Sequence, residues 1–110
     1  MAIIIKTKSP QDLLTAIKKE IDEGKIVTWS YDSDGDFTHS TKQWNANAWL
    51  RPKVSVGELR FGILKNENID MSAVIYGVYH GRLIEMLLTH FDDQFTNAQA
   101  TAHITEPDNF

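Results

Sequence analysis

Between residues 71 and 93 the chain reads Met71-Ser72-Ala73-Val74-Ile75-Tyr76-Gly77-Val78-Tyr79-His80-Gly81-Arg82-Leu83-Ile84-Glu85-Met86-Leu87-Leu88-Thr89-His90-Phe91-Asp92-Asp93. Whether this stretch is helix or strand decides the architecture. On propensity alone residues 73–79 favour a strand, because the glycines and the β-branched and aromatic side chains there weaken a helix. Spacing argues the other way. At 100° per residue, Ala73, Tyr76, His80, Leu83, Ile84, Leu87 and Phe91 fall on one stripe, with Gly81, Arg82, Glu85, Thr89, Asp92 and Asp93 opposite. A stripe that runs unbroken to residue 91 predicts one helix over 71–93, capped by Asn68 or Asp70.

Upstream, Ile3-Ile4-Ile5 reads as a buried strand. Ser9-Pro10-Gln11-Asp12 opens a second helix: a capping hydroxyl, a proline suited to the first helical position, and an acid near the positive dipole end. Leu13, Leu14, Ile17 and Ile21 share a face, and Gly24 ends the helix, which spans 10–23. Two strands follow, 26–31 and 37–44, joined through Asp32-Ser33-Asp34-Gly35-Asp36. A two-residue Asp34-Gly35 turn would pair Tyr31 with Thr38. A three-residue loop with Gly35 in the left-handed region pairs Tyr31 with Phe37 and Trp29 with His39. The second places Val27, Trp29, Tyr31 and Phe37 on one face, and register follows the hydrophobic pattern.

Residues 44–56 form a further strand, which Pro52 confines to an edge or breaks. A turn at Gly57-Glu58 sets Val56 against Leu59 and Val54 against Phe61. Val54, Val56, Leu59, Phe61 and Ile63 then face inward, and Arg51, Lys53, Ser55 and Arg60 outward. Residues 97–104 alternate as a half-buried strand with Ala98, Ala100, Ala102 and Ile104 inward, small enough to admit a helix close by. Residues 107–110 read as a loose end. The order β-α-β-β-β-β-α-β predicts an α+β two-layer sandwich in a single domain, residues 1–110: a mainly antiparallel sheet with two helices on one face.

Composition narrows the function. The chain has 110 residues, a net charge of −4 and no cysteine. Without cysteine there is no disulfide framework, thiolate nucleophile or cysteine-ligated zinc. The apolar runs are short and the beginning lacks a leader pattern, so a soluble, cytoplasmic protein without a membrane span is expected. Asp32-x-Asp34-x-Asp36 departs from a calcium loop, with Phe37 and Gln43 where glycine and glutamate belong, and reads as a polar hairpin tip. No nucleophile elbow, phosphate loop or dinucleotide motif is present. A non-enzyme without cofactor or metal is therefore expected.

Two surfaces remain. His80, with Tyr76 and Arg82 nearby, is either a neutral core histidine or the centre of a small-ligand or enzymatic pocket. Residues 51–65 carry Arg51, Lys53, Arg60 and Lys65 against Glu58, a net of +3. With Trp44 and Trp49 beside them, both expected at an exposed edge, they suit protein contact better than nucleic acid in an acidic chain. The expected function is a small acidic, non-catalytic binding protein acting through protein–protein contact: an inhibitor, an immunity-type protein or an accessory subunit. Its partner is another protein or a second copy, the latter joined at the edge near Trp49 or Pro52. Neither nucleic acid nor membrane is expected as a partner.

Overall fold

A computed structural model describes residues 2–110. Its elements are β1 (Ile3–Lys6), α1 (Pro10–Asp22), β2 (Trp29–Tyr31), β3 (Phe37–His39), β4 (Ala48–Ser55), β5 (Glu58–Lys65), α2 (Ala73–Phe91) and β6 (Asn97–Ala100). The six strands form one antiparallel sheet in the order β2-β3-β4-β5-β1-β6. Leu13, Leu14 and Ile17 of α1 and Ile75, Tyr79, Leu83, Met86, Leu87 and Phe91 of α2 join one core cluster with Ile3, Ile5, Phe37, Leu50, Leu59, Phe61 and Ile63. The register puts these sheet residues on one face, so both helices cover that face. The result is the expected α+β sandwich. Among the described residues no helix is long and apolar enough to cross a membrane.

The first hairpin pairs as the hydrophobic pattern requires, Trp29 with His39 and Tyr31 with Phe37. Asp32 N–H donates to the Asp36 carbonyl at 3.0 Å, which leaves three loop residues, and Gly35 has φ 82°. Val27, assigned to the inner face, lies before β2 and is exposed. β3 stops at His39, because residues 41–47 form turns rather than strand.

The second hairpin corrects the turn. Ser55 pairs with Glu58 and Val54 with Leu59, so Val56-Gly57 is the turn, with Gly57 at φ 75°. Glycine is needed at the second central position, not the first. The slip of two residues keeps every side chain on its assigned face, but it leaves Val56 fully exposed at the tip. β4 is an unbroken interior strand. Pro52 is accommodated because β3 pairs with β4 only at Phe37↔Leu50, so Pro52 lies past the end of that ladder.

The helix over 71–93 is present, shorter by two residues at each end, and Ser72 caps it by accepting the Ile75 N–H at 3.2 Å. Its buried stripe is rotated. Ile75 and Tyr79 are buried, whereas Ala73 is exposed and Tyr76 half-buried. The first two turns are apolar all round, so periodicity there cannot choose a face.

β6 is an edge strand paired with β1 alone. It ends at Ala100 rather than at residue 104; Ala98 packs against the core, whereas Ala100, Ala102 and Ile104, assigned inward, are exposed. The expected loose end is docked. Asn109 forms a parallel bridge with Leu64.

Candidate functional site

Arg51, Lys53 and Arg60 lie together on the uncovered face of the sheet, as alternation required, with Lys53 directly opposite Arg60. Like charges in that position repel, and carboxylates separate them. Arg60 pairs with Glu58, which also takes Lys6 Nζ at 2.9 Å; together these cations, Arg60 first, hold the Glu58 carboxyl below its ordinary range. Lys53 pairs with Glu106 and likewise lowers that carboxyl. Arg51 grips Asp36 in a fork, Nε to Oδ1 at 3.0 Å and Nη2 to Oδ2 at 2.9 Å. That bond pushes the guanidinium pKa up. Asp36 is nearly buried, and such bidentate charged bonds are the strong kind. The sequence signal for it was parity: Asp36 precedes Phe37, so it faces outward beside Arg51.

Trp49 shares this face, half-buried in the interior strand β4 rather than at an edge. Trp44 does not. It sits in the turn after β3, packed against the core. Tyr79, missed as a functional position in the sequence, fixes that turn. Its hydroxyl lies 3.0 Å from Thr38 Oγ1, accepts the Ala48 N–H at 3.3 Å and donates to the Trp44 carbonyl.

Trp44 helps line a cleft of about 540 Å³ with Trp29, His39, Thr41, Arg82 and Glu85. His39 packs against Trp29 at 4.9 Å between ring centroids. Its pKa is lowered, chiefly by burial, with Arg82 adding to the effect and the Thr28 carbonyl and Glu85 opposing it. His39 Nδ1 and Thr41 Oγ1 are buried without hydrogen-bond partners. Arg82 Nη1 meets Glu85 Oε2 at 3.0 Å. The sequence grouped Tyr76, His80 and Arg82; the structure brings only Arg82 to this cleft. His80 is buried within the sandwich with Nδ1 2.5 Å from the Tyr76 carbonyl, and burial holds its pKa low. A second cleft of about 510 Å³, lined by Thr7, Ser9, Asp12 and Phe95 among others, gathers none of the expected site residues.

The hairpin acids Asp32, Asp34 and Asp36 bring ligand-type oxygens within 4.8 Å of one another. Asp32 builds the turn, its Oδ1 accepting the N–H groups of Asp34 and Asp36, each at 3.0 Å, while the Asp36 carboxylate is held by Arg51. Comparison of the chain with known protein families, with curated proteins and with solved structures finds no match.

Proposed function

We propose that this is a non-catalytic binding protein acting through protein–protein contact, and that its contact surface is the uncovered sheet face around Trp49, Arg51, Lys53 and Arg60. One observation carries the reading: an acidic turn-forming segment, residues 105–109, already lies on this face, tied to Lys53 and Arg60 through Glu106. A surface that holds one such segment by charge and backbone bonds is chemically suited to hold another. Affinity capture with the wild-type chain and with a Lys53→Glu/Arg60→Glu chain tests it. The expected result is a protein retained by the first and lost by the second, with little change in Tm. A partner held equally by both overturns the proposal.

A second reading, a small-ligand pocket, is favoured by the unpartnered His39 Nδ1 and Thr41 Oγ1 in the wall of the cleft. Buried polar atoms without partners cost about 1–3 kcal/mol each, and a bound polar group would offset that. An NMR screen of small polar molecules that leaves the His39 and Trp44 resonances unmoved would count against it.

A further inference from the structure

β5 has two edges. β4 pairs along its whole length, but β1 pairs only with Glu58–Phe61. Beyond that point the free edge at Ile63 and Lys65 is taken by the last residues of the chain. Asp108 Oδ1 accepts the Ile63 N–H at 2.7 Å. Asn109 N–H donates to the Ile63 carbonyl at 2.9 Å, and Lys65 N–H to the Asn109 carbonyl at 3.4 Å. Asp108 also closes its own turn, with Oδ2 accepting the Thr105 N–H and its N–H donating to the Thr105 carbonyl, both at 2.9 Å. Glu106 meets Lys53 and gives its carbonyl to Arg60 Nη1 at 3.3 Å. The floor is Gly62, where any Cβ would overlap the backbone of Pro107 and Asp108.

These contacts make a receptor with defined register: backbone groups that read one extended residue, cations that read an acid, and a bare glycine that admits the turn between them. Its occupant is held near the surface. Pro107 lies over the buried Gly62, but the Glu106 side chain is 72% exposed and Phe110 is exposed. Exposed ion pairs are worth little individually, and segments fixed by few apolar contacts open locally. Tethering adds to these bonds, since a short linker supplies an effective concentration in the millimolar range.

We propose that the groove at Gly62–Lys65, flanked by Lys53 and Arg60, is a peptide-recognition site for a partner segment that turns between an acid and an aspartate two residues on, and that residues 105–109 fill it as a built-in competitor. This rests on the protein-contact function proposed above and names its ligand chemistry and its regulation. The mode is capture of a turn at a free strand edge, with the backbone bonds of one bridged residue for affinity and side chains for selection.

The probe is a fluorescein-labelled peptide of residues 104–110, added to the full chain and to a full chain carrying Glu106→Ala and Asp108→Ala, which frees the groove. The freed chain is expected to bind the peptide at least about tenfold more tightly than the wild type, because the wild type must first release its tethered copy. Adding Gly62→Ala to the freed chain should abolish binding while the far-ultraviolet circular dichroism stays unchanged. Hydrogen exchange gives an independent readout: the Ile63 and Lys65 amides should lose protection in the freed chain and regain it with peptide. A folded freed chain that neither binds the peptide nor recovers that protection overturns the inference, as does binding indifferent to Gly62→Ala. Peptide binding alongside capture unaffected by charge reversal would sink the proposed contact face and keep the groove. Capture lost on charge reversal without peptide binding would sink the groove and keep the face.

Discussion

Two buried histidines show how far a single residue can be read from its neighbours. The wheel placed His80 among core positions, and burial with an Nδ1–H bond to the Tyr76 carbonyl follows from that placement. His39 was legible only through register, since pairing with Trp29 turns it inward; its missing Nδ1 partner depends on the 41–47 turn, which no local signal announces. Both pKa values are lowered, mainly by burial. Folded chains therefore bind fewer protons than unfolded ones just below the ordinary histidine value of about 6.5. Stability from these groups is complete above that pH and is lost as the pH falls toward their depressed folded values. Thermal melts between pH 7.5 and 5 should show Tm declining as the pH falls below about 6.5, and His80→Gln should flatten part of that slope. A flat Tm across the window would contradict burial of the neutral rings. His80→Ala should cost roughly 1–3 kcal/mol through the lost bond and a small cavity.

At the scale of elements, helix and strand identities were written in the chain more clearly than their orientations. Strong alternation and a glycine of defined φ settled the first hairpin; Gly35→Ala should destabilise by about 1 kcal/mol from the left-handed penalty, measurable by urea denaturation as a lowered midpoint with unchanged slope. The second hairpin slipped by two residues because a turn containing one glycine can hold it at either central position. In α2 the apolar ring of residues 73–79 left the choice between Tyr76 and Tyr79 to tertiary packing. Tyr79 won through hydroxyl contacts that join the helix to the Thr38, Trp44 and Ala48 region. Tyr79→Phe should therefore cost about 1–3 kcal/mol by stranding buried polar groups, and it should broaden the NMR signals of residues 41–47 more than those of α1. Loss of stability without that local broadening would mean the hydroxyl does not organise the turn.

For the whole molecule, the candidate contact face was legible because alternation alone puts Arg51, Lys53 and Arg60 on one side. Its occupant was not, since Pro107 to Phe110 carry no periodicity and gain their place from long-range contacts such as Gly62 and the free edge of β5. The position of β1 between β5 and β6 has a kinetic meaning. The chain must close loops of more than fifty residues before Ile3 and Ile5 find their partners, and such distant pairings form late. Ile5→Val should thus speed unfolding while leaving the refolding rate nearly unchanged, a difference that stopped-flow chevrons resolve; slower refolding instead would place β1 in the nucleus. On the ribosome, Ile3-Ile4-Ile5 emerges more than fifty residues before its partners in β5 and more than ninety before those in β6. The apolar triplet therefore stays without its sheet partners while that intervening stretch is made, an interval in which a nascent chain is open to chaperone binding and to aggregation.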